Sequence, residues 1–76
     1  MPFIQIKVFK GVLSEAKKRE MISRVTEVVA EVEASPHPKE KLMPYTWCVI
    51  DEVPAENWGI GGQPSSLELL RALLES

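Results

Sequence analysis

A chain of 76 residues makes one domain (residues 1–76) too small to bury a large core by itself, and its lone cysteine, Cys48, excludes an internal disulfide. Nine basic residues against eleven acidic ones, a formal charge of −2, argue against nucleic acid as the main partner. No apolar run approaches the ~20 residues of a membrane span, and the amino end lacks a signal-peptide core, so a cytoplasmic protein without a membrane partner is expected.

The chain begins Met1-Pro2-Phe3. Trimming of the initiator methionine ahead of so small a residue would leave Pro2 with a free secondary amine. A main-chain proline nitrogen is an acylated amide, whereas a terminal one carries a lone pair and acts as base or nucleophile. Partial burial or a neighbouring cation would bring such an amine towards neutral pH, where general-base catalysis is most efficient. The structural alternative is a proline that merely opens an edge strand.

From Phe3 to Phe9 the residues alternate, with Ile4, Ile6 and Val8 on one face and Phe3, Gln5, Lys7 and Phe9 on the other, the period of a strand. Lys10-Gly11 ends it, and Ser14 caps the next element. Met21, Ile22, Val25, Val28, Val29 and Val32 then recur at helical spacing, opposite a charged face, in a helix of about five turns that stops near Ala34 before Pro36 and Pro38. Within it Lys17-Lys18-Arg19, flanked by Glu15 and Glu20, reads as a solvated turn.

Residues 35–44 form a Pro- and Lys-rich connector. The run from Tyr45 to Val53 is a second strand, with Trp47, Val49 and Ile50 too apolar on both faces for a solvated one. The two strands are parallel and the helix crosses between them with the usual right hand. Pro54 opens a helical turn, and Trp58-Gly59-Ile60-Gly61-Gly62 makes a tight hairpin. Ser65 and Glu68 fit a capping box for a helix over residues 65–75 with a stripe of Leu67, Leu70, Leu73 and Leu74. The fold class is therefore α/β (α+β), and the uncovered stripe calls for self-association.

Few residues suggest chemistry individually. His37, the sole histidine, stands among prolines and reads as a loop residue, so no metal or other cofactor is expected. Cys48 falls inside a buried strand as an inert thiol. Gly59-Ile60-Gly61-Gly62 lacks the lysine and the helix of a phosphate loop.

Their order is informative. Met1-Pro2-Phe3-Ile4-Gln5-Ile6-Lys7, Lys10-Gly11, an amphipathic helix, Ile50-Asp51-Glu52-Val53-Pro54 and then Asn57-Trp58-Gly59-Ile60-Gly61-Gly62 resemble the short-chain tautomerase superfamily typified by 4-oxalocrotonate tautomerase, over residues 2–34 and 45–64. The resemblance implies a β-α-β tautomerase fold, with Pro2 as the base that shuttles a proton between oxygen and carbon of a 2-hydroxy-dienoate or enol acid. It implies Trp58 as an aromatic pocket wall and backbone N–H groups near Phe9 as receivers of substrate oxygen. The strand faces and the leucine stripe exceed what one small unit can cover, so a homohexamer built of dimers with four-stranded sheets is expected. Two positions depart from the family pattern: Val12 and Trp47 stand where carboxylate-binding arginines are common. A replacement cation is expected among Lys7, Lys10, Lys39, Lys41 and Arg71. Two further readings are a non-catalytic subunit of a mixed oligomer, and a hydratase or dehalogenase in which Glu52 activates water.

Overall fold

The computed structural model describes residues 1–75. Strand β1 (Phe3–Phe9) leads into helix α1 (Glu15–Ala34), strand β2 (Trp47–Val53), a hairpin of β3 (Gly59–Ile60) and β4 (Gln63–Pro64), and helix α2 (Leu67–Glu75). β1 and β2 are parallel and in register from Phe3 opposite Trp47 to Phe9 opposite Val53. β3 and β4 pair antiparallel around Gly61 and Gly62, whose φ angles of 61° and 83° are the left-handed values a two-residue hairpin turn needs. The expected α/β (α+β) architecture of parallel β-α-β, hairpin and terminal helix is the one observed.

α1 starts where its cap predicts. The Ser14 side chain accepts from the Lys17 N–H at 3.2 Å, and Ser35 leaves the helix with ψ 135°. α1 covers the sheet face carrying Ile4, Ile6, Val8, Cys48 and Ile50, and Lys18 fastens it to β2 through Glu52 at 3.1 Å while also meeting Glu15. Those two carboxylates, Glu15 first, hold the Lys18 ammonium above its ordinary pKa.

Several expectations shift by a residue or a face. The buried line of α1 runs through Ala30 and Ala34, whereas Val28 and Val32 face outward at 58% and 73% exposure. β2 begins at Trp47, not Tyr45, because Lys39–Lys41 and Met43–Tyr45 each close a short 3₁₀ turn, the second with Pro44 in its first turn. Trp47 and Val49 are exposed because α1 covers only one side of the sheet. Cys48 is half-buried on the covered side. The cap of α2 is Ser66, whose hydroxyl accepts from the Leu69 N–H at 3.2 Å; the helix therefore starts at Leu67, two residues after the expected start. Ser65 instead ties its N–H to the Trp58 carbonyl at 2.6 Å and closes the hairpin.

The protomer is elongated. Its radius of gyration is 15.5 Å, against about 11 Å for a compact domain of this length. It exposes 5823 Å², against about 4,700 Å² for a monomeric protein of its mass. The open sheet face carries Phe3, Trp47 and Val49, and α2 carries Leu69, Leu73 and Leu74, all exposed. No helix among the described residues is long and apolar enough to cross a membrane.

Candidate active site

At the amino end, β2 fixes Pro2. The Trp47 N–H donates to the Pro2 carbonyl at 3.0 Å, which holds the half-buried proline against the sheet. A cavity of about 190 Å³ opens there, lined by Met1, Pro2, Phe3, Tyr45 and Trp47. Phe3 and Trp47 are directly paired across the two strands, and the 3₁₀ turn ending the connector delivers Tyr45 beside them. The charged neighbour of the amino terminus is not the anticipated cation. It is Glu33, near the end of α1, whose carboxylate lies 3.6 Å from the Met1 amine.

The opposite end of β1 holds the second group. The Phe9 and Trp58 rings meet at 4.5 Å between centroids with 53° between their planes, a tilted aromatic pair. Trp58 also borders a depression of about 320 Å³ with Lys7, Val53, Asn57 and Gly59. The Lys10 N–H donates to Val53, so the alternation of a parallel ladder turns the Phe9 N–H towards the free edge of β1. An acceptor on a ligand has access to it there.

The third group is the β1–α1 turn against α2. Gly11, Val12, Leu67, Leu70, Arg71 and Leu74 line a cavity of about 170 Å³. Arg71 thus lies beside Val12, a position left without a cation by sequence, and forms no ion pair among the described residues. The other cations are less available or more remote. Lys7 binds Asp51 at 2.7 Å, and Lys39 is paired with Glu27. Lys41 borders a separate cavity with His37. Lys10 is exposed just past β1.

Pro2 and Phe9 are seven residues apart on an extended strand, about 23 Å. One protomer therefore brings Pro2 and Trp47 together but keeps both away from Trp58, Phe9 and Arg71. Glu52, weighed from sequence as a water activator, stands opposite Val8 at the far end of the sheet and is engaged by Lys18. Tyr45 and Glu33 were not singled out by sequence. Tyr45 carried no such signal, because its place beside Pro2 comes from the 3₁₀ turn that ends the connector and not from strand alternation. Glu33 carried none, since its nearness to the amino terminus depends on how α1 packs. Among the described residues no group of three or more His, Cys, Asp or Glu is gathered as a metal site.

The family profile for tautomerase enzymes matches residues 2–68. A probable tautomerase K2 of Dickeya dadantii is 33% identical over 63 residues, 83% of this chain and 85% of that protein. The 2-hydroxymuconate tautomerase of Pseudomonas putida is 39% identical over 62 residues, 82% and 87% of the two chains. Among solved structures, a 4-oxalocrotonate tautomerase isozyme of Methylibium petroleiphilum superposes with a TM-score of 0.61 at 41% identity, covering 83% of this chain and 90% of its own. DmpI of Helicobacter pylori gives a TM-score of 0.62 at 29% identity, with 93% and 97% coverage.

Proposed function

Because this chain belongs to the tautomerase family, of the 4-oxalocrotonate tautomerase kind, and is an isomerase, we propose that it interconverts enol and keto forms of small 2-hydroxy-dienoate or enol acids. Pro2, freed by removal of Met1, takes the hydroxyl proton of the enol and returns it to carbon, without a cofactor. The observation that carries this reading is Pro2 itself. The family match starts at this residue, and its carbonyl is bound to β2 while its ring faces an aromatic cavity.

The remaining site residues belong to the same proposal. Trp47 walls the Pro2 cavity, Trp58 and the Phe9 N–H receive the substrate from a neighbouring copy, and Arg71 supplies the cation for a carboxylate. The length of β1 is the reason a second copy is needed. A homohexamer built of three dimers with four-stranded sheets, in the cytoplasm, is the assembly proposed; the excess exposed area and the apolar open face support it. Arg71 beside Val12 weighs against a non-catalytic subunit of a mixed oligomer, since the vacant arginine position has a cation next to it.

Glu33 favours a second reading. Its carboxylate lies 3.6 Å from the Met1 amine, one residue before Pro2; if it meets the Pro2 amine once Met1 is removed, Pro2 would serve as an acid while Glu33 activates water for addition to an unsaturated or halogenated acid. Glu33→Gln separates the two, abolishing hydration but sparing tautomerisation.

The test of the main reading combines intact mass with an enol-acid assay. Protein that has lost Met1 should turn over, and protein that retains it should not, because its Pro2 nitrogen is an amide. Equal rates in both forms would remove Pro2 from the mechanism.

A further inference from the structure

The depression of about 320 Å³ beside Trp58 falls within the usual 300–1,000 Å³ of a small-molecule site, and its lining joins an indole and Val53 to two polar side chains, Lys7 and Asn57. Lys7, at the rim on the open sheet face, is committed to Asp51 at 2.7 Å. Asn57 is exposed, and its side-chain amide has no hydrogen-bond partner among the described residues. It is the uncommitted polar group of the lining.

The backbone beneath that amide is fixed. Asn57 ends the 3₁₀ turn Ala55–Asn57, its N–H donating to the Pro54 carbonyl at 2.9 Å, and the Trp58 N–H donates to the Ala55 carbonyl at 3.1 Å. The Trp58 carbonyl in turn accepts from the Ser65 N–H at 2.6 Å, and the indole packs on Phe9 at 4.5 Å between centroids. A side chain on so pinned a backbone has only its own torsions to lose on meeting a ligand.

The surrounding charges decide what the amide recognises. Lys7 and Asp51 cancel, and Glu56 precedes Asn57 in the turn, so the recess offers a carboxylate no net positive charge. A neutral donor suits an oxygen that is uncharged in the bound ligand and gathers charge during the reaction. The 2-oxygen of an enol acid is such an atom: once its proton passes to the Pro2 amine of a neighbouring copy, it carries the negative charge of the dienolate until carbon takes the proton back. An N–H held at that oxygen stabilises the intermediate more than the ground state.

Resting on the Pro2 reading above, we infer that Asn57 is a substrate-contacting residue whose side-chain amide donates to the 2-oxygen of an enol or keto acid lying against Trp58.

The experiment measures kcat and KM for 2-hydroxymuconate in the Met1-free protein and in Asn57→Ala and Asn57→Asp, with native mass checked for each. Alongside it, calorimetry compares 2-oxopentanoate with pentanoate, which differ only at the 2-oxygen. In Asn57→Ala kcat should fall about tenfold with KM within about twofold, and Asn57→Asp, which turns the donor into an anion, should lose more. The 2-oxo acid should bind more tightly than pentanoate, and Asn57→Ala should cut that preference about fivefold. Where the enol is turned over, failure of either change overturns the inference and leaves the proline reading standing. So does a rise in KM alone with both acids weakened equally, which would give Asn57 to the carboxylate, or loss of the assembly in both variants, which would make it an interface residue. If the enol is not turned over yet the 2-oxo preference is present and falls in Asn57→Ala, the contact stands and the proline chemistry falls. No turnover together with no preference overturns both.

Discussion

The Trp47 N–H and the Pro2 carbonyl, 3.0 Å apart, form the first rung of the parallel ladder. The carbonyl of Pro2 is thereby held by the sheet. In the proposed mechanism the amine freed by loss of Met1 would gain from this anchoring, since a fixed position shortens the search for the reacting geometry.

Activity with enol acids should rise with pH through a single ionisation in the Met1-free protein, and the Met1-retaining form should show no such rise. Pro2→Ala keeps a primary amine at the same position, so it should retain partial activity through a different acceptor or a Schiff base. A pH–rate profile of the three forms checks this. A rise common to all three would assign the ionisation to another group.

Arg71→Ala should raise KM for enol acids about tenfold with a smaller change in kcat, the discounted effect of one exposed charge-assisted contact. Arg71→Lys should recover only part of it, because an ammonium lacks the planar fork. Steady-state kinetics decides, and an unchanged KM would leave Arg71 as a surface residue.

A native mass spectrum at micromolar concentration should show a hexamer. Val49→Asp places a charge on the open sheet face, where Val49 is 42% exposed in the single protomer, and should shift the population to smaller species with a lower melting temperature. A folded monomer of the unaltered chain would contradict the proposed assembly.

The Glu27–Lys39 pair predicts a pH window for the connector. The Lys39 hydrogen bond, and then its charge, hold the Glu27 carboxyl below its ordinary 4.5, so the contribution is complete above that value and is lost as pH falls through the depressed one. Lys39 is raised above 10.5, mainly by its hydrogen bond to Glu27, so its contribution is complete below that and lost as pH rises through the raised value. Hydrogen exchange at the Leu42, Tyr45 and Thr46 amides, corrected for its intrinsic pH dependence, should show constant protection between these limits. Glu27→Gln should lower it at neutral pH.

Gly62→Val should destabilise the hairpin by about 1–2 kcal/mol, because φ +83° is accessible to glycine and strained for a β-branched side chain. Nothing lies within 4 Å of the added Cβ, so the cost is conformational. Gly59, without a positive φ, should accept alanine more readily. Chemical denaturation of both variants measures the difference.

Much of this protein was legible without coordinates, for local reasons. The alternation from Phe3 to Phe9, the Ser14 cap and the prolines after Ala34 act within a few residues of themselves, and the elements formed where those signals stood. Pro2 and Trp58 could be singled out as candidates only through their place in an order of motifs that resembles the tautomerase family, since each has an ordinary structural use by itself. Apolar spacing could not reveal that Val28 and Val32 face outward, since helix periodicity defines a stripe but not which edge of it meets the sheet. Nor could it separate Ser65 from Ser66 as the cap, a choice made by the bond from the Ser65 N–H to Trp58 in the hairpin. Packing alone decided what gathers around the amino terminus. The register of β1 with β2 put Trp47 beside Pro2, the connector's turns put Tyr45 at the same cavity as Pro2, and the docking of α1 brought Glu33 within 3.6 Å of the Met1 amine. Those contacts join residues more than thirty positions apart, and only a folded chain specifies them.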